Sequence, residues 1–265
     1  MPLDIIKDID RFIVFVIGAI IGSFLNVCIY RLPKKQSIIF PPSYCPHCKK
    51  SILWYDNIPI LSYIILAGRC GFCRKKISPR YLLVEVLTAT VILLLYIAFG
   101  IQEKLFVYAA LVSALIVVTF TDIRTGEIPD EVTLGGLAVG LAVSFAFPAV
   151  FDTASRIGAL KESALGAATG GIAIFLMGVF GKLLFRRDAM GGGDVKLMAL
   201  VGSVLGWKLV LFAFFVAPFF GAAVGLPMKM IRGRDTIPYG PYLSLASILM
   251  IFYGHKVLNF LFSGL

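Results

Sequence analysis

Two aspartates and four cysteines in this 265-residue sequence combine residue type with a spacing that chemistry can use. Asp122 ends an apolar run in Thr121-Asp122-Ile123-Arg124, and Asp194 follows Met190-Gly191-Gly192-Gly193 and precedes Val195-Lys196-Leu197. A charged residue in or beside an apolar span is costly, so each is a candidate for function. Two carboxylates that converge cannot both ionise cheaply; one keeps a proton while the other activates water against a peptide carbonyl. Gly191, Gly192 and Gly193 carry no β-carbon and would let an extended backbone come close. A single Asp at a span end suits a helix cap equally well. Two at the same side of the membrane, one behind a run of glycines, point to a catalytic pair.

The cysteines stand as Cys45-Pro46-His47-Cys48 and Cys70-Gly71-Phe72-Cys73. Each C-x-x-C turn offers two thiolates on one side, and two turns complete a closed tetrahedral site of four sulfurs, as in a zinc ribbon. Soft sulfur ligands select Zn²⁺, and a reducing cytoplasm keeps the thiols available. So small a loop lacks a core of its own, and the metal would supply its folding energy. With four sulfurs in place, His47 is expected to be an exposed turn residue. Cys28, inside an apolar run, suits a small buried hydrophobe.

Other polar residues compete for a role. Asp130, after Ile128-Pro129, suits an N-terminal helix cap. Glu127 lies in a polar turn and is expected to be solvated. Glu85 falls early in an apolar run and needs a partner, for which Arg80 and Lys196 are candidates. Lys196 can neutralise the aspartate pair, steer a substrate, or reach out to the membrane surface. In Ile237-Pro238-Tyr239-Gly240-Pro241-Tyr242 the prolines remove backbone donors and hold the chain extended. Pro238 and Gly240 therefore either present an edge to a substrate or make a rigid turn into the next helix. The glycines from Gly166 to Gly171 open no helix after a strand, which excludes a dinucleotide loop and suits close helix packing.

The elements that must position these residues are membrane helices. Hydrophobic residues make up 59% of the chain and charged ones only 15%, with a mean hydropathy of +0.92. That balance excludes a water-soluble globule. The net charge of +10 is interleaved with long apolar runs rather than gathered in a stripe, so no nucleic-acid partner is expected. A spanning helix needs about 20 mostly apolar residues. Runs at 12–29, 82–99, 105–121, 134–151, 165–185 and 209–230 approach that length, and a short run at 195–206 and an interrupted one at 242–262 bring the expected total to about eight. Asp4, Asp8 and Asp10 flank the first run and no A-x-A site follows it, so it is expected to remain as an anchor.

With eight spans, the connections on one side carry eighteen Lys and Arg, ten of them between Arg31 and Tyr81, against seven on the other. Positive side chains are retained on the cytoplasmic side, which puts the first loop in the cytoplasm and both termini outside. The chain divides into a first transmembrane helix (1–30), a cytoplasmic four-cysteine loop domain (31–81) and a helical bundle that carries both aspartates (82–265). Residues 58–67 are apolar but too short to span, and are expected to pack the loop against the membrane surface.

Taken together, the motifs resemble the prepilin peptidases, or type IV leader peptidases, of bacterial pilus and type II secretion systems. The resemblance runs from Gly22-Ser23-Phe24-Leu25-Asn26-Val27 and Tyr30-Arg31-Leu32-Pro33, through both cysteine pairs and Trp54-Tyr55-Asp56-Asn57-Ile58-Pro59, to Ile77-Ser78-Pro79-Arg80-Tyr81. It continues in the segment from Asp122 to Asp130, the GGGDVKL stretch and the IPYGP turn. It implies an aspartyl peptidase of the G-x-G-D type in the bacterial inner membrane. Asp122 and Asp194 match the family's catalytic pair, which cleaves a basic leader from pilin or pseudopilin precursors after a glycine at the cytoplasmic face. The resemblance further implies N-methylation of the new N-terminus with S-adenosylmethionine as co-substrate. A transporter using the two acids as a proton relay would show matching inverted halves, and the cysteine loop occurs once. A zinc-ribbon assembly protein without catalysis would be indifferent to Asp to Asn exchange.

Overall fold

A computed structural model describes residues 2–185, 190–232 and 238–262. It is helical throughout, with no strand among the described residues, and divides into two compact units, Met1–Ile101 and Gln102–Leu265.

In the first unit two long helices, α1 (Pro2–Arg31) and α3 (Arg80–Phe99), pack on each other, and the cysteine loop between them includes a five-residue helix, α2 (Leu61–Ile65). The pairing of α1 and α3 depends on glycines one turn apart. A β-carbon at Gly18 or at Gly22 would stand 2.7 Å from the Cα of Ala89 or of Glu85 respectively, closer than two backbones tolerate. Three buried polar side chains then join the pair and hold the loop on it. Asn26 donates to the Tyr81 carbonyl (3.0 Å), and the Arg31 guanidinium donates to the carbonyls of Ser37 (3.0 Å) and Pro41 (2.7 Å). Glu85 accepts from the Ile60 N–H at 2.8 Å.

The second unit holds α4 (Glu103–Thr125), α5 (Asp130–Ala146), α6 (Arg156–Phe185), α7 (Gly192–Arg232) and α8 (Gly240–Phe262). Helices α6 and α7 meet backbone to backbone. A β-carbon at Gly166 would collide with the Gly202 carbonyl oxygen, and one at Gly170 with that of Met198. These glycines serve helix packing, as their spacing suggests. Helix α7 is two helical segments joined at Gly206, whose φ of 78° and ψ of 170° lie outside the helical region and favour glycine.

All eight apolar runs fall on helical segments, with 195–206 and 209–230 on the two sides of the Gly206 break. Five helical stretches are long and apolar enough to cross a membrane, Asp8–Lys34, Arg80–Phe99, Glu103–Thr125, Arg156–Leu184 and Gly192–Gly225, with a shorter apolar helix at Gly240–Gly254. The protein is a polytopic α-helical membrane protein. Two boundaries differ from the hydropathy pattern. The fourth run ends as a helix at Ala146, because Pro148 disfavours helical backbone before it, and continues as a single 3₁₀ turn at Pro148–Phe151. The fifth begins at Arg156, nine residues before the apolar run, because Lys161 and Glu162 are tolerated on a helix face. Arg186, Arg187 and Arg234, which enter the charge asymmetry, and Ile237 of the proline turn lie outside the described residues.

Candidate active site and candidate metal centre

Asp122 sits in the last turn of α4, which ends at Gly126 in the left-handed conformation (φ 71°), with the Gly126 N–H donating to the Asp122 carbonyl at 2.9 Å. Only 6% of Asp122 is exposed. Its Oδ2 accepts from the Gly240 N–H at 2.9 Å, a donor on the first residue of α8. Asp194, 7% exposed, is the third residue of α7, and its Oδ2 accepts from the Gly191 N–H at 3.3 Å. That is the reach-back of a capping box. Each carboxylate thus rests at a helix N-terminus, where backbone N–H groups and the helix dipole favour negative charge by about 0.3–1 kcal/mol each.

The two acids come together within the second unit. Asp194 lies within electrostatic reach of Asp122, and each is held by a backbone donor of its own. Ile128, in the turn after α4, joins the three chain segments. A β-carbon at Gly193 would lie 2.9 Å from the Ile128 Cβ, and one at Gly240 would lie 3.4 Å from its Cδ1 and 2.7 Å from Asp122 Oδ2. Glycine at 240 is what lets the N–H reach the carboxylate. The glycines of the GGGD segment differ among themselves. Gly193 is filled in by Ile128, whereas Gly191 and Gly192 are exposed and a β-carbon at Gly192 would meet nothing within 4 Å.

Tyr239, between Pro238 and Gly240, packs its ring toward Gly221 of α7 and lies 6.3 Å from the Tyr242 ring, centroid to centroid. Burial, reinforced by the charge of Asp194, pushes its phenol up to about 12, so it stays neutral beside the acids. Neither Ile128 nor Tyr239 stands out in the sequence. An aliphatic before a proline and an aromatic between two prolines look like ordinary turn residues, and only the meeting of α4, α7 and α8 gives them a place. Pro238 is half-buried at the mouth of α8.

Three polar residues find partners other than those their sequence context suggests. Asp130 is the first residue of α5, which has no side-chain cap. Its carboxylate instead takes the Lys196 ammonium in a two-pronged pair, 2.6 and 2.8 Å. Lys196 is accordingly engaged beside the aspartates and not between them. Glu85 is satisfied by a backbone N–H, that of Ile60, and not by Arg80 or Lys196. Glu127 is exposed, as its polar turn suggests.

In the first unit, Cys45, Cys48, Cys70 and Cys73 form a cluster whose ligand atoms all lie within 4.8 Å of one another, with the Cys45 and Cys73 sulfurs 3.9 Å apart. Sulfurs about 2.3 Å from a tetrahedral ion are separated by about 3.8 Å, so the donor set fits a metal of that size. Two near-identical turns build it. Cys45 N–H donates to Lys50 O (3.0 Å) and Lys49 N–H to Cys45 O (2.9 Å); Cys70 N–H donates to Lys75 O (2.9 Å) and Arg74 N–H to Cys70 O (3.0 Å). Each turn is closed by one antiparallel bridge, Tyr44 with Ser51 and Arg69 with Lys76. The Cys73 backbone N–H draws the Cys70 thiol down to about 7, while the sulfurs packed around Cys73 hold its thiol up at about 11, so without a cation the four thiols do not all ionise. His47 is exposed and Cys28 is buried outside the cluster, each as its context suggests.

A buried acid pair at helix N-termini beside exposed glycines, in a bundle of apolar helices, makes a candidate site of the aspartyl type. Residues 16–99 match the bacterial peptidase A24 N-terminal domain, and residues 109–226 match the type IV leader peptidase family. A protein of Pectobacterium carotovorum subsp. carotovorum is 33% identical over 91% of this chain and 93% of its own length, and one of Bacillus subtilis (strain 168) is 33% identical over 94% and 96%. One of Myxococcus xanthus (strain DK1622) is 39% identical over 83% of this chain, which spans 63% of that protein's length. All three carry the name prepilin leader peptidase/N-methyltransferase. No solved structure matches. The chain belongs to the type IV leader peptidase family.

Proposed function

We propose that this protein is a prepilin leader peptidase and N-methyltransferase, cleaving the basic leader of pilin or pseudopilin precursors after a glycine. The observation that carries the reading is the burial of Asp122 and Asp194 at the N-termini of α8 and α7, within reach of each other's charge. Of two acids within reach of each other's charge, one keeps its proton while the other ionises. The carboxylate activates water against the scissile carbonyl, and the protonated partner supports the oxygen on which charge develops. Gly191 and Gly192 leave the approach open to a peptide backbone, and Gly240 lies directly against Asp122. The apolar helix of a precursor, lying in the bilayer beside these helices, brings the bond after its leader to that boundary.

The four thiolates of the loop would hold Zn²⁺ as a structural ion, which supplies the cross-link that so small a loop needs to fold. S-adenosylmethionine supplies the methyl group for the new N-terminal amine, in keeping with the relatives' names. The site faces the cytoplasm of the inner membrane and both termini lie outside, following the charge asymmetry. The deciding experiment is leader cleavage by purified Asp122→Asn and Asp194→Asn variants in a bilayer. Each is expected to lose cleavage while keeping its fold; full processing by either one refutes the pair.

A further inference from the structure

The peptidase and metal sites leave one surface of the first unit without a role. Next to the metal turns, the 3₁₀ turn Trp54–Asn57 and α2 pack together, with Ser62 Oγ donating to the Tyr55 carbonyl at 2.8 Å. Together they expose a run of large apolar side chains, including Trp54 (80% exposed), Tyr55, Leu61, Ile64 and Ile65 (79%). Singly exposed apolar residues are ordinary, but this many on two adjoining short segments form a patch that marks an interaction surface.

Three observations say what covers it. The loop is tethered at both ends, since it leaves α1 at Arg31 and returns at Arg80, and both helices are long and apolar enough to span. The tether is tighter than chain connectivity requires, because the Ile60 N–H, at the mouth of α2, is bonded at 2.8 Å to Glu85, in the second turn of α3. Helix α2 therefore starts level with the end of a membrane helix. The charge also matches. From Arg31 to Tyr81 the loop carries ten Lys and Arg against one acid, Asp56. Clusters of Lys and Arg are drawn to anionic headgroups, and Trp and Tyr prefer the boundary between headgroups and chains. The same charge repels the basic leader of a precursor.

We propose that this patch is docked on anionic phospholipid of the bilayer that the protein's own helices span, with Trp54, Leu61, Ile64 and Ile65 entering the headgroup boundary. Interfacial helices sink about 5–10 Å. The docked patch holds the cysteine loop flat over the membrane and fixes its orientation about α3. The proposal concerns the loop's surface and stands whether or not the peptidase reading does.

The chain has two tryptophans, Trp54 and Trp207, so the Trp207→Phe variant makes Trp54 the sole reporter. The full-length variant is placed in bilayer discs of mixed phosphatidylcholine and phosphatidylglycerol, with bromine on the lipid chains either near the glycerol or near the methyl end. Bound metal is measured alongside to show that the loop is folded. Most of the Trp54 emission is expected to be lost with shallow bromines and little with deep ones. Replacing phosphatidylglycerol by phosphatidylcholine, or Lys49, Lys50, Lys75 and Lys76 by Gln, is expected to restore emission and shift it red. If the variant loses metal, the same quantity comes from the difference between wild type and Trp54→Phe. Unquenched emission from a metal-loaded protein overturns the proposal. So does quenching that needs added precursor, which would make the patch a substrate surface, or quenching that vanishes at one copy per disc, which would make it a self-association face.

Discussion

Gly240 shows how one missing side chain can hold a site in register. Its N–H reaches Asp122 only because no β-carbon intervenes, and an alanine would place that atom 2.7 Å from Oδ2. Either the carboxylate or the start of α8 must then move. A displacement of about 1 Å at a reacting group costs about 100-fold in rate, and Gly240→Ala is expected to lose that much leader cleavage while remaining folded and metal-loaded. A wild-type rate from this variant would show that the Gly240 contact does not position Asp122. Ser244, one turn further along α8, offers the opposite case. Its hydroxyl is buried with no hydrogen-bond partner among the described residues, and an orphaned polar group of this kind costs about 1–3 kcal/mol. Ser244→Ala should therefore keep or raise the thermal midpoint in detergent; a marked drop would mean the hydroxyl has a use that the fold does not reveal.

At the scale of elements, much was legible and the reason is physical. Burial in lipid is dictated by runs of apolar residues, so each run lies on helical segments, and the C-x-x-C turns are local, so the two pairs come together in a cluster that can hold a metal. Partners set by tertiary approach were not legible. Nothing in the chain next to Asp130 announces Lys196, 66 residues away, and nothing next to Glu85 announces the Ile60 N–H. The role of Gly193, shaped by Ile128 rather than by a substrate, is hidden for the same reason. The metal turns predict their own response. Replacing Cys45 or Cys70 by Ser removes one of four sulfur ligands, so metal measured on the purified protein should fall well below one per chain and the loop should become protease-sensitive. Because Asp122 and Asp194 sit in the other compact unit, their chemistry should survive in these variants, and stoichiometric metal in both would show the ligands to be misassigned.

For the whole molecule, the second unit has two chemically different ends. Helix α4, 23 residues long, covers about 35 Å, more than the hydrocarbon thickness. Lys104 at its start pairs with Asp152 at 2.6 Å, while Asp122 at its finish meets the N-termini of α7 and α8. The acids and the Lys104 pair therefore belong to opposite faces of the bilayer. An even number of crossings would return both termini to one side, and the excess of Lys and Arg in the alternate connections supports the proposal that the acid-bearing face is cytoplasmic. Exposed positions on the two faces can read this out, Ala154 near the Lys104 pair and Glu127 just beyond Asp122. A membrane-impermeant maleimide applied to intact cells should label Ala154→Cys, whereas Glu127→Cys should react only after the membrane is opened. The native loop cysteines, on the cytoplasmic side in this arrangement, should stay silent in intact cells and give no background. Labelling of Glu127→Cys from outside would invert the topology and put the acid pair on the wrong face for a precursor whose leader is cytoplasmic. Labelling of both positions from outside would break the assignment of α4 as a full crossing.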